Sequence, residues 1–119
     1  MTDTITIERL KSKTRIDQVF REGKSLRSGV LSLHYLYKTS QMSSYFFGVS
    51  VSKRNVVSAV KRNRIKRQMR SALRNNKILA KGLLPPGFYM LLFKSKEQEP
   101  YATIADDLVQ LLEKISVKK

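Results

Sequence analysis

Seven consecutive residues, KRNRIKR at positions 61–67, carry five cations, and Arg70 and Arg74 continue the series at helical spacing. Like charges three or four apart on a helix repel and weaken it, so a run this dense is best tolerated where an anion lies against it. Arginine supplies a planar fork of N–H donors that matches the oxygens of a phosphate. At 3.6 residues per turn Asn63, Arg67, Arg70 and Arg74 share the side opposite Ile65, Met69 and Ala72. One face can pack while the other meets phosphates. A charge run by itself more often marks a solvated face, and here the surroundings decide. No Asp or Glu occurs between residues 23 and 96, a stretch that holds sixteen Lys and Arg. Over all 119 residues, 24 Lys and Arg against 9 Asp and Glu leave a net charge of +15. Such a surplus selects a polyanionic partner, above all a nucleic acid.

Aromatic residues are the second resource. Tyr35, Tyr37, Tyr45, Phe46, Phe47, Phe88, Tyr89 and Phe93 fall on segments rich in strand formers, and Phe20 falls on a short helix. Any one of them is more often core filler, yet beside a basic groove an aromatic ring stacks on unpaired bases. Other chemistries find little material. Cysteine is absent and His34 is the single histidine, so neither a disulfide-linked partner nor a Cys- or His-based metal site is expected. A self-sufficient metal-dependent nuclease needs clustered carboxylates or imidazoles, and the central region offers only His34. No apolar run approaches the ~18 residues of a membrane span and the start lacks a secretory pattern, so a cytoplasmic location without membrane contact is expected.

The elements that must position these residues are legible in outline. The length suits one domain, 1–119, with ends 1–8 and 116–119 expected to be flexible. Thr14 with Asp17 three residues later reads as a capping box, Gly23 as a stop, and Ile16, Val19 and Phe20 as one face of the helix between them. Residues 30–38 and 45–52 read as strands joined by a hairpin loop at 39–44. A long helix is predicted over 58–75, with Ile65, Met69, Ala72 and Leu73 as its apolar stripe and a short continuation through Ile78 and Leu79. The GLLPPG segment at 82–87 reads as a turn. Residues 88–94, nearly all apolar, suit a strand covered on both faces. A last helix over 103–115, capped by Thr103 and Asp106, buries Ile104, Leu108, Leu111, Leu112 and Ile115. The order gives an α+β domain around a small sheet.

Two segments carry a family likeness. FGVSVSKR at 47–54 followed after a short spacer by AVKRNRIKRQMR at 59–70 resembles the strand and arginine-rich helix of the protein component of bacterial ribonuclease P. Upstream, Arg9, Leu10 and Lys11, then DQVFREG at 17–23, resemble that family's first helix, so the likeness covers most of residues 9–115. The spacer Asn55, Val56, Val57, Ser58 lacks the glycine many members carry there and is one residue longer; Ile16 stands where an aromatic is frequent.

The resemblance implies a four-stranded sheet with about three helices and a left-handed βαβ crossover. It further implies an RNA subunit that performs catalysis, with Mg2+ held through RNA and no cofactor held tightly by the protein. The partners would be that catalytic RNA and precursor tRNA, whose 5′ leader lies in a cleft between the first helix and the sheet. Carried over by position, Arg62, Asn63, Arg64, Lys66, Arg67 and Arg70 become contacts to the catalytic RNA, with Lys53 and Arg54 beside them. Lys61 and Arg74 extend that surface. Phe20, Phe47 and one of His34 or Tyr35 become leader-cleft residues. The expected role is an accessory subunit in the endonucleolytic removal of the leader; the competing reading is a ribosomal or other structural RNA-binding protein.

Overall fold

Two apolar stripes of different period organise the chain. The computed structural model describes residues 6–37, 44–80, 84–85 and 87–115. In chain order these form β1 (Thr6–Arg9), α1 (Lys13–Glu22), β2 (Lys24–Ser28), β3 (Leu31–Tyr37), β4 (Ser44–Val51), α2 (Ala59–Arg74), α3 (Lys77–Ala80), β5 (Gly87–Phe93) and α4 (Tyr101–Ile115). The α+β class is the one expected. The strands join in the order β1-β4-β5-β3-β2, with β1–β4 and β4–β5 parallel and the other pairs antiparallel. The four strands β2 to β5 make the small sheet, and β1 adds a short fifth strand at its edge.

Alternation along the strands sends odd and even residues to opposite faces. Leu31, Leu33, Tyr35, Tyr45, Phe47, Tyr89, Leu91 and Phe93 point to one side. There they bury against Ile65, Met69, Ala72 and Leu73 of α2 and Ile104, Leu108, Leu111 and Leu112 of α4. The even residues Phe88 and Met90, with Leu10 and Val19 of the α1 region, form a smaller core on the other side, flanked by half-buried Ile16, Leu36, Phe46 and Leu92. β5 is covered on both faces, which is why its sequence carries no polar alternation.

Several local expectations shift. Strands do form within the two expected segments, at Leu31–Tyr37 and Ser44–Val51, yet they do not pair as a hairpin: β5 lies between β3 and β4. Of the loop expected at 39–44, Ser44 opens β4 and 39–43 lie outside the described residues, as do 82–83 and 86 of the expected turn and the end segments 1–5 and 116–119. Residues 6–8, expected to be flexible, belong to β1. Helix α1 is capped by Ser12, whose hydroxyl accepts from the Arg15 N–H at 3.3 Å, so Thr14 is an internal residue. In α4, Thr103 likewise lies inside the helix. Its neighbour Asp107, rather than Asp106, is the carboxylate put to use: Oδ2 accepts from the Val30 N–H at 3.0 Å. That bond fastens α4 to the β2–β3 turn, where Gly29 has φ 58° and a Cβ would collide with the Asp107 carboxylate.

Candidate nucleic-acid interface

Helix α2 presents the cations as the 3.6 period requires. Ser58 caps it by accepting from the Lys61 N–H at 3.3 Å, and the buried stripe turns Asn63, Arg64, Arg67 and Arg74 outward, all exposed. Lys61 is exposed, while Lys66 and Arg70 are half-buried at the margins of the stripe. Val57 and Val60, 83% and 75% exposed, interrupt the cations with apolar spots at the start of the helix. A surface of this kind is suited to engage phosphates through its Arg and Lys side chains. Lys53 and Arg54 lie in the exposed turn after β4, beside the start of α2.

Arg62 differs from its neighbours. Its Nη1 donates to the carbonyls of Val56 at 2.9 Å and Val57 at 2.7 Å, so the guanidinium ties the spacer to the first turn of α2. Val56 also donates its N–H to the Ser52 carbonyl at 3.0 Å. The spacer that lacks glycine is thus held by Arg62, which leaves the remaining donors of that guanidinium for a phosphate.

The opposite surface, where α1 crosses the sheet, gathers a different set. α1 covers β3 and β5 only in part, so His34, Leu36, Phe46 and Leu92 stay half-buried along its flank. Phe20, 41% exposed, sets its ring against the His34 imidazole with centroids 4.7 Å apart. Phe46 stacks on Phe88 at 5.3 Å, and the Arg15 guanidinium lies over the Phe88 ring at 4.7 Å from its centroid. Partial burial, and then the neighbouring Lys94 ammonium, hold His34 below its ordinary 6.5, so the imidazole there is neutral at neutral pH. The result is an aromatic flank with a cation above it, suited to a single strand whose bases are unpaired.

Of the expected cleft residues, Phe20 and His34 share this surface and Tyr35 and Phe47 do not. Tyr35 and Phe47 are odd-numbered strand residues, 8% and 5% exposed, and point to the α2 and α4 side. Phe47 stacks on Tyr89 at 4.8 Å, and Tyr89 in turn lies 6.4 Å from Tyr35. Both rings are core. Phe46 and Arg15 take the places on the α1 side that residue type alone does not single out. Even parity puts Leu36 on the same side as His34, Phe88 is the register partner of Leu36, and Phe46 follows because it is paired with Phe88 across β4 and β5.

Comparisons with known proteins point to one family. The family model described as Ribonuclease P matches residues 6–116. The ribonuclease P protein component of Thermotoga maritima is 30% identical over 122 residues, spanning 97% of this chain and 98% of that relative. The protein of the same name from Porphyromonas gingivalis is 37% identical over 99 residues, 82% of this chain and 64% of the relative. Among solved structures, the RNase P protein of Thermotoga maritima superposes with a TM-score of 0.72 at 27% identity, covering 92% of this chain and 98% of that one. That of Staphylococcus aureus gives 0.73 at 20% identity over 91% and 96%, which speaks to the fold.

Proposed function

The chain belongs to the ribonuclease P protein component family, and from that premise we propose that it is the accessory subunit that binds the catalytic RNA and the 5′ leader of precursor tRNA. The observation that carries the reading is the exposed cationic face of α2 on a chain with no carboxylate from residue 23 to 96. Arg64, Arg67 and their neighbours neutralise phosphates of the catalytic RNA, with Lys53 and Arg54 extending the contact. On the α1 side, Phe20 and His34, joined by Phe46 and Arg15, receive the unpaired leader by stacking and by charge.

The chain's part in the reaction is placement and electrostatics. Cations held against RNA lower the repulsion that metal ions otherwise screen, so the assembled enzyme needs less Mg2+. Scission itself is assigned to the RNA, since the central region brings no carboxylate to a reacting phosphate. Among the described residues no helix is long and apolar enough to cross a membrane, and the reading places the protein with RNA in the cytoplasm.

The deciding experiment is reconstitution. Protein freed of RNA is expected to leave precursor tRNA intact, and its addition to the catalytic RNA is expected to shift cleavage to lower Mg2+. Metal-dependent cleavage by the RNA-free protein would overturn the division of labour.

A further inference from the structure

We propose that the outward face of α4 is a docking surface for another protein, and that its occupant is an amphipathic helix whose apolar stripe is edged by Lys and Arg. The proposal goes beyond RNA binding, because it assigns a partner to an element that RNA should avoid.

The charge of the chain is sorted as well as unbalanced. Residues 23–96 hold no carboxylate, whereas residues 97–113, which follow at once, hold no Lys, Arg or His and carry Glu97, Glu99, Asp106, Asp107 and Glu113. α4 buries Ile104, Leu108, Leu111 and Leu112 against the sheet and α2. At about 100° per residue, the side turned away from them carries a line of Ala102, Ala105 and Val109 beside a line of Asp106, Gln110 and Glu113. Asp107 is taken by the Val30 N–H, while Asp106 is exposed. Val109 is 39% exposed and Tyr101 36%, Tyr101 on the flank where its hydroxyl accepts from Asn75 Nδ2 at 3.2 Å. Of the other large apolar side chains exposed among the described residues, Phe20 belongs to the α1 flank and Val57 and Val60 to the start of α2. Tyr101 and Val109 lie outside both RNA surfaces.

A helix face that meets only water is free to carry polar groups at every position. Here small apolar residues run along the helix with acids along one border, which is the pattern of a helix seam. Asp106 and the acids around it repel phosphates, so neither RNA nor an anionic bilayer suits the face, and a cationic partner does. A helix fits because the ridge at i, i+3 and i+7 packs into the grooves of a second helix, while long Lys and Arg stems lie over the acidic border. At physiological ionic strength charges more than about 8 Å apart are largely screened. The acids of α4 therefore govern a local contact although the whole chain stands at +15. A second copy suits the face less, since two chains of +15 repel and the cations of α2 are the ones that RNA engages.

The test is an NMR titration of the full-length, RNA-free protein at physiological ionic strength. The probes are a helical peptide of about five turns built from Leu, Ala and Lys in heptad register, the same peptide with Glu in place of every Lys, and a scrambled form of the Lys peptide. The Lys helix is expected to move the methyl signals of Ala102, Ala105 and Val109 and to leave Arg64 and Arg67 unmoved. Asp106→Lys should weaken it about fivefold. Val109→Lys, which sets a like charge at the centre of the face, should do the same and decides the matter should the first variant disturb the fold. Neither variant should lose affinity for the catalytic RNA; a loss would make α4 part of the RNA surface and overturn the proposal. Equal binding of the scrambled peptide, binding of the Glu helix to the same methyls, or unmoved α4 signals would each overturn it while sparing the RNA-binding reading. Sedimentation equilibrium without peptide covers the remaining occupant: a dimer that Val109→Lys dissolves would give the face to a second copy and overturn the partner proposed.

Discussion

Phe20 is the residue on which the two roles of an aromatic can be told apart. Its ring is 41% exposed and lies against His34, so truncation removes little buried surface and leaves no closed cavity, unlike the ~3–5 kcal/mol lost when a core Phe becomes Ala. Phe20→Ala is expected to keep nearly the wild-type melting temperature. In the assembled enzyme it should weaken precursor tRNA by roughly 1–3 kcal/mol per stacked base and leave mature tRNA unaffected. A large fall in melting temperature with equal loss for both tRNA forms would return Phe20 to the core. His34 supplies a pH signature at the same place. Its folded pKa is depressed by burial and by Lys94, so the folded state binds the proton less readily than the unfolded one. Stability is therefore complete above 6.5 and lost as pH falls through the unfolded and then the folded value. Thermal melting between pH 8 and 5 should show that loss, and His34→Asn should flatten it. Tyr35 and Phe47 mark the limit of reading residues by type: a run of strand aromatics does not say which parity faces which helix until the packing of α1, α2 and α4 is known.

At the scale of the element, α2 divides its cations between two duties. Arg64→Ala combined with Arg67→Ala removes exposed, mutually repelling charges, so circular dichroism should be unchanged or the helix slightly stabilised. Affinity for the catalytic RNA should fall, with the salt slope reduced by about one for each phosphate no longer neutralised. Arg62→Ala should behave differently, because it also frees the Val56 and Val57 carbonyls; a stability loss of about 1 kcal/mol is expected by chemical denaturation. Equal stability of the two variants would remove the anchoring role. α2, α4 and β5 are legible in the sequence because each carries a long, one-period apolar pattern. β2 is not, since its burial is shallow and its five residues KSLRS look like loop. The Ser12 cap escapes a sequence reading for a similar reason: a hydroxyl two residues upstream of Thr14 offers the same local signal, and only the path of the chain from β1 selects it.

For the whole molecule the charge distribution makes a single quantitative statement. If binding is carried by Z phosphate contacts, the logarithm of RNA affinity should fall with the logarithm of salt at a slope of ~0.7Z to ~0.9Z. Filter binding across low and moderate salt checks it, and a flat response would remove the electrostatic account. The charge surplus itself is fully visible in the sequence. The sheet order is not, because β3 and β4 follow one another in the chain with hairpin-like spacing, and only the apolarity of β5 hints that it must be surrounded.

The position of β5 bears on how the protein comes into being. Until residues 87–93 have left the ribosome, β3 and β4 have no shared neighbour, and the sheet exists as two halves with an empty middle. Domains fold as units as synthesis proceeds, and pairings between distant segments form slowly. The nascent chain therefore carries most of its cations and its aromatic strands in an unfinished state until nearly the last quarter of translation. In a cell crowded with RNA, a nascent chain of that charge will attract polyanions before its own core closes, so early encounter with RNA is built into the order of its strands.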